Sequence, residues 1–139
     1  MTRVYFTDRD LGKAFPAILR EAGLAVEAHH DHFAPSCPDE QWLEVVGSRG
    51  WVAITHDARI RYKPNEKDAV LRHGVRLLVV VGKAPYPELA RTFVATHTRI
   101  EAFLDRNLPP LIAKVYRPTP ADLTDDPDAP GRIERWFPS

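Results

Sequence analysis

Two short apolar runs in this chain each end on a carboxylate. Val4-Tyr5-Phe6-Thr7 leads into Asp8, with Arg9 and Asp10 behind it. Trp51-Val52-Ala53-Ile54-Thr55-His56 leads into Asp57, with Arg59, Arg61 and Lys63 behind it. Each run has strand-like bulk and branching, a Thr near its end, and an acid where the strand should stop. Ligands of open α/β sheets bind beyond the carboxyl ends of the strands, where the strand order reverses. Two strands that end in Asp can therefore bring two carboxylates into one crevice. Asp39 is the third candidate, in the first turn of a helix that Ser36-Cys37-Pro38 would open, with Glu40 as a nearby substitute. Each acid also has an ordinary reading: Asp8 and Asp57 as caps of the turns that follow, Asp39 as a partner of the helix dipole.

Three carboxylates about 5 Å apart would repel by roughly 3 kcal/mol per pair at an effective dielectric of about 20. The sum, about 10 kcal/mol, rivals a whole domain's stability of roughly 5–15 kcal/mol. Such a cluster must take up protons, recruit basic neighbours or bind a cation. Oxygen-only ligands suit Mg2+ or Mn2+, which can polarise a phosphodiester. Arg9, Arg59, Arg61 and Lys63 flank the acids, where they could hold the phosphates of a nucleic-acid strand, and Tyr62 could stack on a base. The alternatives are a solvated charged face, or counter-ions for the acids. His29, His30 and His32 suggest zinc, but one cysteine and no His-x3-His spacing argue against it. His56 is expected on the side of its strand opposite Asp57. Cys37 has no base beside it, and the chain has neither a Gly-rich phosphate loop nor a Gly-x-Ser-x-Gly element.

The totals are those of an ordinary soluble domain. The 139 residues suffice for one core, and a single cysteine excludes an internal disulfide. Lys+Arg and Asp+Glu both number 19, so only the distribution of charge is informative. Residues 59–76 hold six Lys and Arg against two acids, and residues 122–134 hold five acids against one Arg. Arg3 precedes too short an apolar run for a secretory signal, and Leu77–Val81 is too short to span a bilayer. A cytoplasmic location and no membrane contact are the expectation.

Strands are expected at residues 3–7, 24–28, 51–55, 75–81 and 111–116. Helices are expected at 13–22, 38–47, 64–74 and 88–105, with a loop over 29–37. Alternation of this kind predicts an α/β three-layer sandwich with a central parallel sheet of four to five strands. The expected order is 2-1-3-4 with strand five at the edge, which sets Asp8 beside Asp57. Residues 1–117 would form this domain. The last 22 residues, 118–139, hold five prolines and the acidic cluster. They are expected to form an irregular arm, docked through Trp136 and Phe137 or partly disordered.

Three segments together resemble a PIN-like domain of the VapC-type branch of bacterial toxin–antitoxin pairs. They are Tyr5-Phe6-Thr7-Asp8-Arg9-Asp10-Leu11-Gly12, Asp31-His32-Phe33 with Pro38-Asp39-Glu40-Gln41-Trp42-Leu43, and Gly50-Trp51-Val52-Ala53-Ile54-Thr55-His56-Asp57-Ala58-Arg59-Ile60-Arg61. The resemblance covers residues 3–82. It implies a Mg2+- or Mn2+-dependent endoribonuclease with Asp8, Asp39 and Asp57 as acids of the site, RNA as substrate, inhibition by a cognate antitoxin, and dimerisation. The family pattern has a further acid near the end of the fourth strand. Here Val81 leads to Gly82-Lys83, so Asp10 or Asp31 must substitute. Two other classes stay open: a receiver-like phosphoacceptor built on Asp57, with Lys83 or Lys114 assisting, and a catalytically inactive PIN-like binding module.

Overall fold

A computed structural model describes residues 2–138. The core strands are β1 (Val4–Thr7), β2 (Ala25–Ala28), β3 (Val52–Thr55), β4 (Arg76–Val80) and β5 (Leu111–Tyr116). The helices between them are α1 (Ala14–Glu21), the short α2 (His29–His32), α3 (Asp39–Arg49), α4 (Pro64–His73) and α5 (Tyr86–Arg106). A last helix, α6 (Pro120–Asp125), precedes β6 (Arg132–Phe137). The sheet order is β2-β1-β3-β4-β5-β6. The first five strands are parallel, as expected, and β6 runs antiparallel beside β5.

Residues alternate between two buried layers because successive side chains of a strand face opposite sides. Tyr5, Val52, Ile54, Leu78 and Val80 join Phe15, Leu19, Phe93 and Ile100 under α1 and α5. Phe6, Ala53, Leu77, Val79 and Ile112 join Trp42, Leu43, Val46 and Val70 under α3 and α4. With both faces covered, the strands read as unbroken apolar runs.

The chain leaves β1 for β2 and then crosses back to β3 on the other side of β1. The direction of winding reverses there, so the crevice of this fold opens between the carboxyl ends of β1 and β3.

Two expectations need correction. Strand five is not the edge, and the tail is not irregular. Thr119 and Asp122 form a reciprocal capping box around Pro120 and start α6, and β6 then supplies a sixth strand. Trp136 and Phe137 pack against the α3/α4 layer. A third correction is local: His29–His32, expected in a loop, forms α2 and buries His29 against Phe6 and Phe33, with ring centroids 6.2 and 5.4 Å away.

α3 and α4 approach closely at Gly47, where an added Cβ would lie 2.3 Å from the His73 carbonyl oxygen. Gly47→Ala is expected to destabilise the fold by about 1–3 kcal/mol, measured by chemical denaturation, although Ala is the better helix former.

Candidate metal centre

Asp8 follows directly after β1, and its N–H extends the ladder to the Ile54 carbonyl at 2.9 Å. It caps a single 3-10 turn, Arg9–Leu11, through Oδ1, which accepts from the Arg9 N–H at 2.7 Å. Its other oxygen faces β3, where the Thr55 hydroxyl lies 2.9 Å from Oδ2. The turn swings Asp10 back to the same hydroxyl, 3.2 Å from Asp10 Oδ2, and to the His56 N–H at 3.2 Å. Asp8 is therefore both a turn cap and a member of an acidic pair.

Asp57 and Asp39 complete the lining. Asp57 Oδ1 accepts from the Arg59 N–H at 2.9 Å, and Oδ2 meets Lys63 Nζ at 2.6 Å. Asp39 opens α3, and its Oδ1 accepts from the Trp42 indole N–H at 2.9 Å. All four acids line one open cleft of about 490 Å3, together with Arg9, His56, Arg59 and Lys63. His56 was expected on the far side. It turns into the cleft because its Nδ1 bonds the Val80 carbonyl at 2.8 Å, which leaves Nε2 as the free ring nitrogen.

Four residues singled out from the sequence lie elsewhere. The Arg61 guanidinium stacks on the rings of Tyr62, Trp136 and Phe137, 5.5–5.7 Å from their centroids. Asp31 pairs with Arg20 at 3.3 Å. Lys114 Nζ sits 4.1 Å over the Trp136 ring, and Lys83 is exposed in the loop after β4. Nor do the three histidines gather: His29 is buried among aromatic rings, His30 lies 3.5 Å from Asp31, and His32 lies 3.0 Å from Glu27. One contributor was not singled out from the sequence: Thr55, which is fully buried. The shared pattern Thr-Asp after β1 and Thr-His-Asp after β3 was its only signal.

The electrostatics follow from this wiring. Thr55 has one hydroxyl proton and two carboxylates within reach, and it also accepts from the Asp57 N–H at 3.2 Å. It satisfies one ionised partner at a time. Burial raises Asp8 most, the Asp10 charge adds to it, and its carboxyl is pushed from 3.8 to about 7. Burial also raises Asp10, against the opposing bonds from His56 and Thr55. A proton on Asp8 resolves the conflict: Asp8 donates to Thr55, and Thr55 donates to Asp10. Asp57 behaves differently. Partial burial pushes it up, but the Lys63 ammonium and the Arg59 N–H outweigh that and hold it below the usual carboxylate range.

Among the described residues, no three acidic, His or Cys side chains converge into a ready-made metal cage. Mg2+ needs less, since it commonly keeps several waters and takes one or two carboxylates. Asp8 and Asp10 fit that role. They share the Thr55 hydroxyl, and their excess charge calls for a cation or a proton.

Ionised Asp8 costs stability. Below its ordinary value of 3.8 both folded and unfolded chains carry the proton, so there is no cost there. The cost grows as pH rises from about 4 to 7 and is complete above that, at about 4 kcal/mol. Asp8→Asn keeps the shape and removes the charge. It is expected to unfold with roughly 2–4 kcal/mol more stability than wild type at pH 8 and nearly the same stability at pH 4, read from urea titrations at both values.

A family profile described as "PIN like domain" matches residues 4–82. That interval contains β1 to β4 and every acid of the cleft. One relative is the protein named "Putative ribonuclease VapC45" from Mycobacterium tuberculosis (strain ATCC 25618 / H37Rv). It is 35% identical over 80 residues, which cover 54% of this chain and 58% of the relative. The match thus spans less than two thirds of that protein. No solved structure matches significantly. The profile match and the crevice at the β1/β3 switch point agree: this chain belongs to the PIN-like domain family.

Proposed function

We propose that this protein is a metal-dependent endoribonuclease, the toxin of a toxin–antitoxin pair. One observation carries the reading: Asp8 and Asp10 share a single hydroxyl inside a cleft edged by Arg9, Arg59 and Lys63. Too much negative charge sits beside too much positive charge, and a divalent ion with a bound phosphodiester would balance both. The name of the mycobacterial relative supports the choice of RNA.

Each group has a task in this reading. Asp8 and Asp10 would hold Mg2+ or Mn2+, with Asp39 and Asp57 as further ligands, direct or through water. A cation bound there supplies Lewis-acid polarisation of a phosphodiester oxygen and offsets the charge that builds on it. Thr55 positions both primary carboxylates. Arg9 and Arg59 hold the phosphates on either side of the scissile bond. Lys63 keeps Asp57 ionised. His56 presents Nε2 at the cleft wall as an acceptor for a proton from a cleft water. This assignment puts Asp10, rather than an acid after β4, in the position of the fourth family acid.

The resemblance to VapC-type toxins supplies the setting: a cytoplasmic protein, inhibited by a cognate antitoxin and working as a homodimer or within a higher complex with that antitoxin. No helix among the described residues is long and apolar enough to cross a membrane.

With Mg2+ present, Asp8→Asn and Asp10→Asn are each expected to lower the rate of RNA cleavage by on the order of 100-fold or more. An Asp8→Asn protein that cleaves as fast as wild type defeats the proposal. Mn2+ is expected to raise the unfolding temperature of wild type at pH 8 and to leave Asp8→Asn unmoved, because the ion binds the folded state only.

A further inference from the structure

A cation–aromatic cluster stands beside the acid cleft and takes no part in it. We propose that it is a base-stacking subsite for single-stranded RNA, centred on Tyr62, which extends the path of the substrate away from the cleft. This deepens the nuclease reading and rests on it.

Tyr62 is 66% exposed, more than any other aromatic residue among the described residues. Trp136 meets it edge-on at 5.7 Å, and the Arg61 guanidinium lies 5.5 Å from its centroid. The ring is thus braced on one flank and open on the other. Lys114 and Lys67 complete the cluster, 4.1 Å over Trp136 and 5.2 Å over Phe137. Among the described residues, Arg61, Lys67 and Lys114 form no ion pair. The Arg61 Nε is also buried without a hydrogen-bond partner there. The neighbouring acids are already engaged: Asp57 with Lys63 at 2.6 Å and Glu134 with Arg132 at 2.9 Å. Three cations packed on aromatic faces, none of them in an ion pair among the described residues, form a surface that is positive and aromatic. A strand with a charged backbone and unpaired bases matches both properties.

Position ties the cluster to the cleft. Thr55, Val79 and Lys114 are register partners in one row across β3, β4 and β5. At about 4.8 Å per strand, the backbone of Lys114 stands roughly 10 Å from that of Thr55, a span of one to two nucleotides. The link along the chain is direct as well. Arg59 lines the cleft, and Tyr62 follows one 3-10 turn later, with its N–H on the Arg59 carbonyl at 2.9 Å. Residues three apart in such a turn eclipse, which sets Tyr62 and Arg59 on the same side of it. Trp136 and Phe137 come from β6, outside the residues 4–82 that the family profile matches.

The test is binding of a fluorescein-labelled single-stranded 12-mer RNA of mixed sequence, followed by anisotropy in EDTA so that the probe stays intact. Tyr62→Ala is expected to weaken binding roughly 5- to 100-fold, Tyr62→Phe to bind as wild type, and the blunt duplex of the same sequence to be indifferent to both, since its bases are already stacked. Lys114→Gln and Lys67→Gln are each expected to lower the salt dependence by about one ion. Thermal unfolding of Tyr62→Ala should match wild type, because the ring is mostly in solvent. Wild-type affinity of Tyr62→Ala for the single strand overturns the platform, as does an equal loss for single strand and duplex. If wild-type chain cleaves RNA while either result is found, the platform alone is wrong. If wild-type chain neither binds nor cleaves RNA, the nuclease reading falls with it.

Discussion

One hydroxyl proton shared between two buried carboxylates is the constraint on which this structure turns. Thr55 reaches Asp8 from one strand and Asp10 from the turn behind it, and it cannot donate to both. Besides that hydroxyl, the fold supplies only backbone donors, the Arg9 N–H to Asp8 and the His56 N–H to Asp10. No Arg or Lys side chain bonds either acid; the cleft's one short ion pair, Lys63 with Asp57, lies to the side. An arrangement that leaves charge uncompensated in a buried place, while cations stand close by, is a poor way to gain stability. It suits a site that takes up a cation.

The charges around the cleft are sorted by this logic. Lys63 and the Arg59 N–H hold Asp57 ionised, so it contributes a permanent negative charge. Asp8 sits near 7 and can trade a proton for an ion close to neutrality. Arg9 and Arg59 are exposed at the cleft wall, where they can meet anions arriving from solvent, Arg59 with its Nε 3.7 Å from Asp57. Arg61, only two residues from Arg59, is committed to the aromatic rings of Tyr62 and β6 instead. A turn of 3-10 helix between them, Ile60–Tyr62, is what sends neighbours in the chain to different surfaces.

The two buried layers explain why this cleft can exist. β1 and β3 carry apolar side chains on both faces for only four residues each, and the polar residues begin where the helices no longer cover the sheet. Thr7 and Thr55 are buried at the strand ends, Asp8 directly after Thr7 is buried too, and His56 and Asp57 after Thr55 are half-buried. The depth of Asp8 is therefore a consequence of where β1 ends.

Residue types and local spacing were enough for the α/β class, the order of the first five strands and the gathering of Asp8, Asp39 and Asp57 around one cleft, because period-two apolar runs and strand-end carboxylates are local signals. Asp10 was visible only as a substitute. The tail was misread because β6, Arg-Ile-Glu-Arg-Trp-Phe, has no fully buried residue and carries too many charges to look like a strand, and because a capping box around Pro120 outweighed the disorder that five prolines suggest. What the chain order could not contain was which donors the acids would share. That Thr55 joins Asp8 to Asp10, that His56 turns inward, and that Arg61 leaves the cleft for Trp136 all depend on contacts between residues some 24 to 75 positions apart. Such pairings are set when strands and helices pack, and hydrogen-bond partners at that separation leave no trace in local pattern.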